Sequence, residues 1–417
     1  MTKTPVWLSA EEALTRVDSG MSVLFPHLSA EPLVLTRALW SRAETLERLT
    51  VCSGMLLSGY GFLSSPAAPK VTFKTWFLPG TLLRKTTGDV KAEYLPMTWA
   101  QTARYLDETP FDVGLIQVSP ADTDGYYSVG LNSTVVQSIL RRAKLVIAQV
   151  NPKVPRTRGP SRIDPSQIDI LVEAEEPLAE FPNRPGDAID ETIGRQIAGL
   201  IPDGAAVSFG VGGIPLAAAE ALIARGARGL RPFNTLTDPV MKLIEAGCAA
   251  DGLPKAHAGD IFGSQALYDW VHENDAVAMT EALQTHTVES FVGRSPVASV
   301  NSGLEIDLYG QVNAETIGGR QSGAMGGLVD FAISGQLADS TFILGLRSRT
   351  NKGKARIVRR LDGDIVSVSR TFVETVVTEH GVASLRNKTV RERARAIAAI
   401  AHPDDRAALL AEAETLA

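Results

Sequence analysis

Two glycine-rich turns and a few isolated polar residues carry the types best suited to chemistry in this chain. The first turn, SFGVGGIP at 208–215, follows the apolar run AAVSF through Gly210, Val211, Gly212 and Gly213, and a helical pattern opens at Pro215. Glycines there let the backbone approach a ligand, and a helix N-terminus offers unpaired N–H groups to an anion or a developing oxyanion. The spacing is not the dinucleotide fingerprint, because its third glycine is missing, and a plain tight turn has the same composition. The second turn places five glycines within residues 318–327, among them Gly323, Gly326 and Gly327, just before the apolar VDFAISG. That is more than a hairpin requires, which favours a rigid turn against a ligand over a floppy linker. His380 can act as a base on water, although a histidine after a strand often only packs. Asp238 stands at the head of PVMKLIEAG, where capping that helix competes with any catalytic role. His257, His272 and His286 lack metal-ligand spacing, so no metal site is expected.

Short β-branched runs alternate with alanine- and leucine-rich amphipathic segments, the pattern of an α/β fold with strands covered by helices. SVLF, LTVCSG, VGLIQVS, LVIAQV, AAVSFG, TFILGL and DIVSVS read as strands. AEPLVLTRALWSRA, TVVQSILRRA, PLAAAEALIARG, PVMKLIEAG and TVRERARAIAAIA read as helices. GMSVLFPHLSAEP at 20–32 and GAAVSFGVGGIP at 204–215 share an aspartate upstream (Asp18, Asp203), a strand, a loop and a proline opening a helix. This weak symmetry is consistent with two similar open α/β domains, 1–185 and 186–417, divided in the proline-rich EEPLAEFPNRPGDAID.

Of the 417 residues 21% are charged and 44% hydrophobic, ordinary for a globular chain. Net charge is −6 and the basic residues read as scattered, so no nucleic-acid partner is expected. Cys52 and Cys248 lie in apolar surroundings and suit a reducing compartment. No apolar run has the length of a membrane span, and a cytoplasmic location is the default expectation.

The two turns flank GLRPFNTLTD, and AKLVIAQVNPKVPRTRG, VNSGLEIDLYGQVNAETIG, VVTEHGVASLR and VRERARAIAAIAHPDDR complete an ordered set of motifs. Together they resemble the acetyl-CoA hydrolase/transferase family, which includes 4-hydroxybutyrate and acetate CoA-transferases. The resemblance implies two tandem α/β domains, acyl-CoA and a small carboxylate as partners, no resident cofactor, and a dimer or tetramer. It assigns Gly210, Val211, Gly212, Gly213, Asn301, Gly323, Gly326 and Gly327 to a CoA thioester, and it brings Glu379 into the active site as a helper base, with a structural salt bridge as the competing role. The family's nucleophilic glutamate falls at Asn234. Glutamine is usual where Ser208 and Leu328 stand, and tyrosine where His380 stands.

An amide cannot carry an acyl-transferable thioester, yet it can donate to an oxyanion or accept from water. The expectation is therefore an enzyme on a short-chain acyl-CoA without a glutamyl-CoA intermediate, by hydrolysis or acyl rearrangement. Two alternatives remain. One is CoA transfer through Asp238 or a ternary complex; the other is acyl-CoA binding without turnover.

Overall fold

The computed structural model describes residues 4–79, 91–181 and 186–416. The chain forms two compact units, Met1–Pro182 with Ala256–Thr285, and Asn183–Lys255 with His286–Ala417. Each is an open α/β sheet, as the alternating pattern predicts.

In the first unit the strands are β1 (Val6–Trp7), β2 (Ser22–Leu24), β3 (Leu49–Ser53), β4 (Val71–Thr75), β5 (Lys91–Tyr94), β6 (Phe111–Val118), β7 (Ala143–Val150) and β8 (Ile170–Glu173). They pair in the order β1-β8-β7-β6-β2-β3-β4-β5, all parallel. Parallel strands covered on both faces need continuous apolar runs, and β6 is buried along most of its length. The helix α1 (Leu33–Ala43) follows β2, with Pro32 at its N-cap.

The second unit contains β9 (Ala206–Phe209), β10 (Arg231–Leu236), β11 (Val297–Ser302), β12 (Thr341–Gly345), β13 (Thr375–Thr378) and β14 (Gly381–Ser384). Their order is β10-β9-β11-β12-β13-β14, parallel except for the β13–β14 hairpin. Its helices include α2 (Gly213–Ala224), α3 (Asp238–Glu245) and α4 (Leu328–Ser334). β2 is flanked by β3 and β6 just as β9 is flanked by β10 and β11, so the repeat suggested by the two strand–loop–helix segments is present in the topology. Pro215 is the third residue of α2 rather than its opening residue, still within the turn where a missing N–H costs little.

Three sequence readings change. The division expected near residue 185 lies outside the described residues, and the segment 256–285, assigned by sequence to the second domain, packs with the first. Backbone bonds hold it there: Ser133 N–H donates to Gly259 O at 2.9 Å, and Ile261 N–H to Leu131 O at 2.8 Å. Side chains add to them, with Asn132 donating to the Asp260 carboxylate and Ala282 N–H to Thr134 Oγ1. DIVSVS is no strand; Ile365 and Val366 are exposed, and Val368 alone bridges Val312. Basic residues are not evenly scattered either, since seven occupy 347–360. Arg347 pairs with Asp187 and Asp190, Arg349 with Asp404 and Asp405, Lys354 with Glu305, and Arg359 with Glu412. These four of the seven are thus paired with acids of their own unit.

Buried Asp260 has a measurable consequence. Its carboxyl is pushed up to about 7 by burial, against a lowering by Asn132, while burial lowers neighbouring His27 to about 4. His27 Nε2 lies 3.6 Å from Asp260 Oδ1, with its ring edge-on to Trp76 and Trp99. A carboxyl raised in the folded state favours folding below the unfolded value and loses that contribution as pH rises through about 7. His27, shifted down, acts in the opposite direction at lower pH. Asp260→Asn removes only the first effect and keeps an amide partner for Asn132. Its Tm relative to the native chain should rise by several degrees between pH 4 and pH 8; a difference that stays flat across that range excludes the assignment.

Candidate active site

The carboxyl ends of β9, β10 and β11 lie side by side, the place where open parallel sheets bind ligands. Ser208 pairs with Ser299 and Phe209 with Val300 across β9 and β11, and Gly210 N–H closes the register on Val300 O at 2.8 Å. The chain then turns sharply. Gly212 adopts φ 127°, a conformation that side-chain-bearing residues rarely take, and becomes the N-cap of α2. On β10, Asn234 sits at φ 87°, a left-handed conformation that asparagine tolerates better than most residues. It is 8% exposed, and its Nδ2 donates to Ser208 Oγ at 3.2 Å. That bond leaves the amide oxygen as the group's remaining acceptor.

Asn301, next to the end of β11, is also 8% exposed, and its Nδ2 has no protein acceptor. A buried donor without a partner costs free energy, which is repaid when a ligand oxygen arrives. The second glycine turn closes the opposite side. A Cβ on Gly327 would stand 2.8 Å from His286 Nε2, so the imidazole fits against this turn only because the position is bare. His286 in turn lies on Phe331 of α4, ring centroids 5.0 Å apart.

The result is a cavity of about 280 Å³, entirely within the second unit. Of the residues singled out from sequence, Asn234, Gly210, Val211, Asn301, Gly326 and Gly327 line it. Gly212, Gly213, Gly323, Asp238, Glu379 and His380 do not. Gly213 packs toward Asp190, where a Cβ would meet the carboxylate at 2.4 Å. Asp238 is the first residue of α3, with Thr237 in the N-cap position, so the capping role expected of the aspartate is not its own. Glu379 follows β13 at the same sheet edge, two strands from β11, and accepts from Ser348 N–H at 2.9 Å and Ser348 Oγ–H at 2.6 Å. His380 Nε2 is 3.6 Å from Glu379 Oε1, and its ring stands edge-on to His402 at 5.6 Å.

Glu305 and Asp307, the acids of the NSGLEIDLYGQ motif, are structural: Glu305 pairs with Lys354, and Asp307 Oδ1 accepts from Tyr309 and Gln311 N–H. Sequence reasoning did not put Phe209, Thr235, Met325 or Phe331 at the cleft. The signal for the first two was their place at the carboxyl ends of adjacent strands; Met325 lies within the second turn and Phe331 follows it. No ionisable side chain lines the cavity. Among the described residues no helix is long and apolar enough to cross a membrane, and no group of three or more His, Cys, Asp or Glu could hold a metal ion.

Two family models match, the acetyl-CoA hydrolase/transferase N-terminal domain over residues 5–181 and its C-terminal domain over 263–413. The chain is 35% identical to the 4-hydroxybutyrate coenzyme A transferase of Clostridium kluyveri, covering 97% of this chain and 96% of that one. Among solved structures, RipA from Yersinia pestis superposes with a TM-score of 0.90 at 28% identity, over 98% of this chain and 97% of that one. A 4-hydroxybutyrate CoA-transferase from Porphyromonas gingivalis gives 0.80 at 30% identity, with the same coverage of each chain. The glycine turns, the paired sheet edges and these matches agree: the chain belongs to the acetyl-CoA hydrolase/transferase family.

Proposed function

We propose that this chain acts on short-chain acyl-CoA thioesters at the Asn234 cleft without forming a glutamyl-CoA intermediate, releasing CoA by hydrolysis or acyl rearrangement. The single observation that carries the reading is an amide, not a carboxylate, on the cleft wall, in a lining that includes no acid. The thioester carbonyl oxygen accepts from Asn301 Nδ2, the one buried donor there that lacks a partner. Asn234, its Nδ2 engaged by Ser208, offers its oxygen to a water or to a nucleophile within the acyl group. Glu379 and His380 serve as a base from the neighbouring sheet edge rather than as an attacking group.

The test is to mix the protein with acetyl-, propionyl- and butyryl-CoA and follow free thiol, then to trap with hydroxylamine or borohydride and inspect the protein by mass spectrometry. CoA release with no modified side chain is the expected result. A modified Asp238, Glu379 or other carboxylate sinks the proposal, and so does the absence of CoA release from every thioester.

The near full-length match to a protein named a CoA-transferase supports a second reading, exchange between acyl-CoA and a free carboxylate in a ternary complex. Adding labelled acetate separates the two. Label entering the thioester pool while the protein stays unmodified favours exchange, and label left behind favours hydrolysis.

A further inference from the structure

The wall chemistry of the cleft narrows the acyl group, an inference that rests on the function proposed above. All fifteen lining residues are uncharged. Five have polar side chains, and two of these, Ser208 and Asn234, are spent on one another. The apolar share is Phe209, Val211, Ala314, Met325, Leu328 and Phe331, with smaller residues between them. Leu328 and Phe331 belong to the unit's hydrophobic core, and Phe331 also packs its ring against Phe233 and Phe291. That wall is fixed in size. At about 280 Å³ the cavity lies at the lower end of small-ligand pockets, enough for the thioester and a short chain.

The nearest basic run by sequence begins just beyond β12, whose Gly345 pairs with Ser302 of the cleft. Its first arginines are already committed, Arg347 to Asp187 and Asp190, and Arg349 to Asp404 and Asp405. No lining residue is a cation, and Arg356, whose Nη1 donates to Gly303 O beside Ser302, stands outside the lining, so a carboxylate on the acyl chain would lose its water without a cation in the cleft wall. Burying an unpaired charge is far costlier than burying a methylene.

We infer that the cleft accepts an uncharged aliphatic acyl chain and rejects acyl chains that end in a second carboxylate, with Met325, Leu328 and Phe331 setting the preference. Met325 is half-buried at the mouth of the second turn, so a cation placed there reaches the cleft without displacing the core.

The experiment compares butyryl-CoA with succinyl-CoA on the full chain, by kcat/KM from thiol release and by calorimetric Kd, for the native protein and Met325→Arg. The native protein should prefer butyryl-CoA by at least about 100-fold, and Met325→Arg should move that ratio toward succinyl-CoA by about 10-fold or more. Succinyl-CoA used or bound within about 10-fold of butyryl-CoA by the native protein, or a ratio that Met325→Arg leaves unmoved, overturns the inference. If neither thioester is turned over, the function proposed above fails, while the two Kd values still decide this question. Binding of neither thioester overturns both.

Discussion

Asn234→Glu should convert this protein into a carrier of a covalent CoA thioester. Incubated with butyryl-CoA, the variant should gain the mass of CoA on a peptide containing residue 234, a label that hydroxylamine removes, and should pass CoA to added acetate. The reasoning is chemical. A carboxylate can be acylated to a mixed anhydride and then hold CoA as a thioester, and an amide cannot. Loss of a catalytic nucleophile costs many orders of magnitude elsewhere, so restoring even part of it should raise exchange by about 10²-fold or more. The cost falls on folding. Residue 234 stands at φ 87°, where glutamate is less at ease than asparagine, about 1 kcal/mol of backbone strain. The lost Nδ2 bond to Ser208 adds a comparable amount. A Tm fall of several degrees is compatible with a folded, active variant. A folded Asn234→Glu protein with no adduct and no gain in exchange would show that residue 234 does not face the thioester.

Asn301→Leu should separate catalysis from stability. The side chain is buried, but its Nδ2 makes no hydrogen bond within the protein, so replacing it with an apolar group of similar volume removes a desolvated donor rather than a native contact. Tm should stay level or rise. If this donor meets the thioester oxyanion, kcat should drop by about 10²–10³-fold, the usual loss for one oxyanion donor. A large Tm loss with kcat preserved would make Asn301 a packing residue and leave the cleft without its proposed electrophilic contact.

The parts of this molecule that were legible in sequence share a property: local pattern decides them. The sheet-and-helix alternation follows from apolar periodicity, and the Gly210–Gly213 and Gly323–Gly327 turns from glycine spacing. Asn234 was marked only through the resemblance, because an asparagine inside RPFNTL carries no signal of its own.

What stayed hidden depends on contacts distant in sequence. Asn132 and Asp260 are 128 positions apart, and nothing local to either announces their bond, so the packing of the segment 256–285 with the first unit was not legible in the sequence. Gly213 has the composition of a ligand loop, yet its bareness serves Asp190, whose partner Arg347 lies 157 positions from it in the chain. In DIVSVS the alternation of Ile and Val imitates a strand, but no partner edge exists for Ile365 and Val366 to join.

The excursion that returns Ala256–Thr285 to the first unit bears on how the protein is made. A nascent chain that has emerged only to residue 181 holds all of β1–β8 but leaves Asn132 without Asp260, and Leu131 and Ser133 without their backbone partners. The unit encoded first cannot lock until translation has run on through β9 and β10 of the other. A polypeptide stopped at residue 181 is therefore an incomplete half whose exposed apolar edge invites aggregation and chaperone capture, and genetic dissection of this protein into two independently expressed pieces should fail at the very boundary that its prolines advertise.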